Sequence, residues 1–223
     1  MNSLNPFIEE NNIEAFKDET GLMKLFNENM FYGDDNTGNI FNFTDNDVKN
    51  IIKDGKYDFI TADGSINTVK CQDSQEKIVF PLIEKEVAIA LECLNENGIF
   101  IIKMYTFFEE ETQQLLRKLC KSFEKIFVVK PCFSKSSNSE VYVVLQNYLK
   151  RINCINEEYF IANIIKCSEL FASYQIEAIQ TNIDAFNNNL LDSKVIKSIF
   201  NTIKKEVIND YFEKRMKTIS NAD

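Results

Sequence analysis

The 223-residue sequence contains no histidine, only six glycines and only three prolines. Without histidine there are no Ser-His or Cys-His nucleophile pairs, and the commonest general base near neutral pH is missing. Any proton chemistry falls to Lys, Asp and Glu. The six cysteines, Cys71, Cys93, Cys120, Cys132, Cys154 and Cys167, are widely spaced, form no CxxC pair and have no histidine to complete a zinc site. They read as reduced thiols, mostly core filler, and no metal site is expected. The scarcity of Gly and Pro argues against a flexible or low-complexity chain. No stretch reaches the ~18 apolar residues that a membrane span needs. The start, MNSLNPFIEE, lacks the basic head and apolar run of a secretion signal. The reading is a soluble intracellular protein, nuclear or cytoplasmic, with no membrane partner.

What is present is a 44% hydrophobic chain with 34 acidic and 25 basic side chains, for a net charge of −9. Bulk electrostatics of that sign repel nucleic acid, so any RNA binding must be local. A chain of this length buries one sizeable core and has residues left for a smaller annex.

Residues 1–56 are polar and loop-dominated, with a helical patch near Leu22 to Phe26 and turns placed by Gly33 and Gly38 in FYGDDNTGNI. From Tyr57 the pattern changes. YDFITADGS is a short apolar run ending in Asp-Gly, which predicts a buried parallel strand over 57–62 opening into a loop. Between Ser74 and Asn95 apolar residues recur at helical spacing, with Asn97-Gly98 as the stop. GIFIIKMY is a second buried strand, Glu109 to Phe123 an amphipathic helix, and EKIFVVKP a third strand stopped by Pro131. Strand, helix, strand, helix, strand implies a parallel sheet. VYVVLQNY follows without a helix, so it must return antiparallel beside the third strand. From Arg151 the chain reads as helices, YFIANIIKCSELFASYQIEAIQTNIDAF and SKVIKSIFNTIKKEVINDYFEKRM, separated by NNNLLDS. The organisation expected is a core over residues 1–149 and a helical extension over 150–223.

Ligands in open α/β sheets bind beyond the carboxyl ends of the strands. Asp63 follows the first strand, Lys103 ends the second, and Glu140 precedes the antiparallel fourth, so all three are expected at one edge. A lysine inside the apolar run GIFIIKMY requires compensation, because an unpaired buried ammonium is costly. Neighbouring carboxylates would supply it. The plainer readings are a lysine snorkelling from a strand end and an Asp-Gly turn.

The strings LNPF, FYGDDNTGNI, TADGS, GIFIIKMYTFFE, KPCFSKSSNSEVYVV and FASYQIEAIQTNI stand in this order. Together they resemble cap-specific mRNA ribose 2′-O-methyltransferases of the RrmJ/FtsJ-like group, of the type acting on the second transcribed nucleotide. The resemblance runs from Leu4 to the C-terminal helices. It implies a Rossmann-like class I methyltransferase sheet, S-adenosylmethionine as cofactor and the 5′ end of capped mRNA as substrate. That family surrounds the ribose hydroxyl with a Lys-Asp-Lys-Glu tetrad, in which Asp63 corresponds to the aspartate, Lys103 to the second lysine and Glu140 to the glutamate. Lys103 would accept or steer the hydroxyl proton.

The resemblance further assigns Asp63, with Gly64 beside it, to the methionine side of the cofactor, and Asp35 and Asn36 to its adenosine side. A plain turn is the alternative for the latter pair. Lys130, Ser134, Lys135 and Asn138 would meet RNA phosphates, where a solvated loop is the bland reading. Tyr105, Phe107 and Phe108 could stack a base but read better as core.

Two family features are not visible: the cofactor's glycine loop after the first strand, and the tetrad's first lysine. The expectation is therefore a sheet without its first strand, completed by an upstream segment or a partner chain, or else a degenerate relative. Asn39, where relatives carry an acid before Ile40, points the same way. Methyl transfer is the leading function. A non-catalytic module that binds capped RNA or a catalytic partner is the alternative, and a methyltransferase for ribosomal or transfer RNA is the remoter one.

Overall fold

Four apolar runs between residues 57 and 148 fold into one sheet. In the computed structural model, which describes residues 1–8, 21–68, 71–131, 134–135, 137–151, 154–188, 197–198 and 200–202, the strands are β1 (Tyr57–Ala62), β2 (Leu94–Met104), β3 (Phe123–Val129) and β4 (Val141–Tyr148). The helices are α1 (Leu22–Leu25), α2 (Asp45–Ile51), α3 (Gln75–Cys93), α4 (Glu110–Ser122) and α5 (Glu157–Asn187). Cys132 and most of the expected second C-terminal helix, residues 193–216, lie outside the described residues.

The order across the sheet is β1-β2-β4-β3. β1 and β2 pair in parallel, whereas β4 is antiparallel to β2 and to β3. Three strands thus share a direction, as the alternation with helices requires. β4 reaches β3 without a helical crossover and fills the place between β2 and β3, so the sheet is mixed, with a single parallel pair.

Alternation along the strands locates the core. Phe100, Ile102 and Met104 stand opposite Leu145, Val143 and Val141, and all six are buried. Paired residues share a face. Onto this cluster α3 packs Val79, Leu82, Ile83, Val87 and Ala90, and α4 packs Leu115, Leu116 and Leu119. Lys103 has the opposite parity and stands across from Tyr142.

Two details depart from the sequence pattern. β1 lies where expected but is not buried: Tyr57 is exposed and Phe59 is 57% exposed, because among the described residues β1 has a strand neighbour on one side only. α3 ends at Cys93, before Asn97-Gly98. Leu94 already pairs with Tyr57 while Ile99 pairs with Phe59, so Asn97, at φ 63°, and Gly98 form a bulge inside β2.

The N-terminal part is held by hydrogen bonds. Asn5 N–H donates to Thr37 O at 2.9 Å and Phe31 N–H to Met1 O at 2.7 Å. Gly38 has φ +73°, and a Cβ there would fall 1.9 Å from Ser3 O. α2 begins with a reciprocal cap between Thr44 and Asp47.

The chain divides into two compact units, Met1–Ser173 and Tyr174–Asp223, the division falling within α5. In the first unit α5 is tied to α4: Phe160 is buried with the Arg117 guanidinium 5.1 Å from its ring, and Arg117 also pairs with Glu157 at 2.8 Å. Among the described residues no helix is long and apolar enough to cross a membrane.

Candidate active site

β1 and β2 run in parallel with Ala62 opposite Ile102, so Asp63 leaves β1 beside Lys103. The β4 pairing sets Tyr142 opposite Lys103 and Val141 opposite Met104, which brings the start of β4 to the same rim. The lysine is held twice by one residue. Its Nζ lies 2.8 Å from Asp63 Oδ1 and donates to the Asp63 carbonyl at 3.1 Å. Lys103 is 9% exposed at its side chain and Asp63 is 62% exposed. Tyr142 Oη donates to the same Oδ1 at 3.2 Å. The cost of burying the ammonium is thus offset by a charge-assisted bond to a carboxylate that still faces solvent.

An ammonium has three N–H groups. Among the described residues the acceptors for Lys103 are two, both on Asp63, which leaves one donor for a ligand oxygen. Both recorded contacts to the Asp63 carboxylate use Oδ1. An exposed carboxylate with its second oxygen outside that network suits a cationic ligand.

Glu140 reaches the rim but not the lysine. Its carboxylate accepts from Ser134 Oγ at 3.1 Å, and its main-chain oxygen accepts from Lys130 Nζ at 2.7 Å. Its charge acts on Tyr105, Tyr142 and Lys130. Burial pushes the phenol of Tyr142 up to about 12, reinforced by the Asp63 and Glu140 charges. Tyr105 is raised by burial in the same way.

The loop before β4 is organised around Lys130. Its ammonium donates to Asn138 O at 2.8 Å, to Asn138 Oδ1 and to Glu140 O. Burial lowers its pKa, and Glu140 pulls the other way. Three acceptors match its three donors, so Lys130 shapes the loop from within. Ser134 is likewise turned to Glu140, while Lys135 is exposed and its carbonyl receives Asn138 N–H at 3.1 Å. Ser139 Oγ anchors the loop to Gln75 Oε1 on α3 at 3.0 Å.

Asp35 and Asn36 sit in a separate network. Asp35 accepts from Thr37 N–H, Thr37 Oγ1 and Asn42 Nδ2, and the Thr37 N–H first of all holds its carboxyl below the usual range. Asn36, at φ 60°, accepts from Asn5 Nδ2 through its main-chain oxygen at 2.8 Å. A carboxylate has about four lone-pair sites, and Thr37 and Asn42 make four contacts to Asp35, two on each oxygen. Tyr105 and Phe107 are buried in the core, and Phe108 is exposed.

Two residues that the sequence reading does not select complete the rim. Tyr142 is one. The other is Glu86 of α3, whose Oε1 accepts Gly64 N–H at 2.8 Å and whose carboxyl is pushed by burial up to about 7. The available signal was its position: Glu86 interrupts the buried stripe of Leu82, Ile83, Val87 and Ala90.

This chain is 37% identical, over 154 residues, to a Drosophila melanogaster protein named cap-specific mRNA (nucleoside-2′-O-)-methyltransferase 2, an alignment covering 66% of this chain and 22% of that protein. A Mus musculus protein of the same name is 32% identical over 221 residues, covering 84% of this chain and 28% of its own length. The cap-specific mRNA (nucleoside-2′-O-)-methyltransferase of Autographa californica nuclear polyhedrosis virus is 34% identical over 167 residues, covering 69% and 61%. The chain spans 22% and 28% of the length of the insect and mouse relatives. A model of FtsJ-like methyltransferases matches residues 15–148, the stretch that holds the whole sheet and its rim. The chain belongs to the FtsJ-like methyltransferase family.

Proposed function

We propose that this chain takes part in methyl transfer from S-adenosylmethionine to the ribose 2′-hydroxyl of a cap-proximal mRNA nucleotide, the second one. The observation that carries the reading is Lys103, doubly held by Asp63 and left with one N–H to give. The bound cofactor would supply the electrophilic methyl group. Asp63 and Gly64 would hold its methionine side, and Asp35 and Asn36 its adenosine side. Lys103 would donate to the ribose oxygen, orient it and stabilise the negative charge that grows there as the hydroxyl proton passes to water at the solvent-open rim. Tyr142 and Asp63 keep the lysine from swinging away. Glu140, held by Ser134, lines the same rim. Lys135 faces RNA phosphates directly, whereas Lys130, Ser134 and Asn138 give that loop its shape.

The test uses the full chain, methyl-labelled S-adenosylmethionine and two short capped RNAs that differ only in the second ribose. Label is expected in the RNA with a 2′-hydroxyl there and not in its 2′-deoxy counterpart. Equal labelling of both, or labelling of neither by a folded, cofactor-bound chain, overturns the reading.

One observation favours a second reading. Among the described residues the outer edge of β1 has no strand beside it, and β1 carries exposed Tyr57 and Phe59; an unpaired apolar edge is a pairing surface. In that reading the chain is a module that engages capped RNA or a catalytic partner, and another strand completes the Rossmann-like sheet at β1. Labelling that appears only when the partner polypeptide is added would select it.

A further inference from the structure

Glu86 is an acid on the packed face of α3, flanked by Leu82, Ile83, Val87 and Ala90, all buried. A carboxylate in such a place needs a donor, and the molecule provides one: Gly64 N–H, 2.8 Å from Oε1. The fit is close. A Cβ at position 64 would lie 2.5 Å from Glu86 Oε1 and 3.1 Å from Leu82 Cδ2, so a side chain there would push the Glu86 carboxylate off its hydrogen bond. Gly64 follows Asp63, whose carboxylate and carbonyl both take Lys103. A continuous path therefore runs from α3 through Glu86, Gly64 and Asp63 to the lysine.

We propose that Glu86 is a positioning residue for the Asp63–Lys103 pair, pinning the turn at Asp63–Gly64 to α3 so that both oxygens of Asp63 are presented to the lysine. The proposal rests on the reading of that pair as the reactive one in 2′-O-methyl transfer. Without Glu86 the Gly64 amide has no carboxylate to hold it against the helix, and the exposed Asp63 can turn into solvent. The lysine then loses its main-chain acceptor.

Among the described residues the groups that face Glu86 are Gly64 N–H and the Asp63 charge from the loop after β1, the Lys103 charge from β2, and the phenol of Tyr105 just beyond β2, which the Glu86 charge pushes up. Burial is the largest influence and brings its carboxyl to about 7, Gly64 N–H and Lys103 act downward, and Asp63 acts upward. Above that point Glu86 adds a second negative charge toward the lysine. Below it the same oxygen accepts from Gly64 as a neutral acid, and the hold weakens.

NMR on the isotopically labelled full chain tests the proposal without any turnover. In the wild type the Gly64 amide and the Lys103 side-chain carbon next to Nζ should shift together with pH, with one midpoint at about 7. Glu86→Gln keeps an oxygen for Gly64, so the amide stays hydrogen-bonded and the common midpoint disappears. Glu86→Ala should displace both signals at every pH. Lys103 signals that ignore pH through this range, and are unchanged in Glu86→Ala, overturn the proposal. In the methyl-transfer assay kcat is expected to fall roughly tenfold in Glu86→Ala and about threefold in Glu86→Gln, with KM for RNA unchanged. Equal kcat in all three forms also overturns it. A wild type that transfers no methyl group speaks against the proposed function, and the NMR outcome then decides this inference alone.

Discussion

Two polar networks in this molecule use the same kinds of side chain and reach opposite ends. Around Asp47, which is 2% exposed, the acceptors are filled from nearby: Asp34 N–H at 2.7 Å, Thr44 N–H at 2.8 Å and Thr44 Oγ at 2.8 Å. Asp34 in turn accepts from Asn46, and Asp35 from Thr37 and Asn42. Around Lys103 the partners come from residues 40 and 79 positions apart in the chain, and an N–H and an exposed carboxylate remain over. The first network commits its hydrogen-bonding capacity to folding. The second keeps part of it for a ligand, and that surplus marks a site more clearly than the presence of charge does.

The sharpest way to break the comparison is Lys103→Ala. Methyl transfer is expected to fall about 100-fold or more, while unfolding in urea stays near the wild-type midpoint, because the acid left behind is mostly solvated. A large loss of stability with activity retained would make the rim the structural network. Gly38→Ala attacks the other side. Its positive φ and a Cβ 1.9 Å from Ser3 O force segment 1–8 off the loop, at a cost of about 3 kcal/mol read from urea midpoints.

Asp47→Ala is expected to cost somewhat less, about 2 kcal/mol, through loss of the α2 cap and of buried charge-assisted bonds. The pH dependence has a definite sign. Thr44 N–H above all holds the Asp47 carboxyl below its usual value. Its contribution is therefore present above the unfolded pKa, roughly 3.9, and is lost as pH falls through the lower folded value. The stability gap between wild type and Asp47→Ala should close in that acid range. A gap that persists there would assign the loss to packing instead.

The strands and Lys103 were legible because burial writes itself into composition: an apolar run bounded by Asp-Gly or Pro is a strand, and a lysine inside one demands a partner. α2 was harder. Thr44 and Asp47 have cap spacing, but a seven-residue polar helix shows no apolar period. Asn97-Gly98 reads as a helix stop, and only the pairing of Leu94 with Tyr57 turns it into a bulge. Lys130 reads as a phosphate ligand because its acceptors, Asn138 and Glu140, become visible only when the loop closes. Glu86 and Tyr142 depend on Gly64 and Asp63, which lie 22 and 79 residues away, and no local pattern predicts such partners.

The smallest expected effect gives the finest test of the contrast. Tyr142→Phe removes one hydroxyl, which donates to Asp63 Oδ1 at 3.2 Å, and leaves the ring opposite Lys103 in place. In a saturated network that change leaves an acceptor stranded. Here the Asp63 carboxylate faces solvent and water can replace the phenol, so stability should change by no more than about 0.5 kcal/mol. The lysine, however, is steadied by a carboxylate that has lost one of its two anchors. Turnover is expected to fall about threefold with little change in KM, the size of a neutral hydrogen bond acting at one remove. A stability loss as large as that of Asp47→Ala would place Tyr142 in the same class as the folding network and erase the distinction drawn between the two regions.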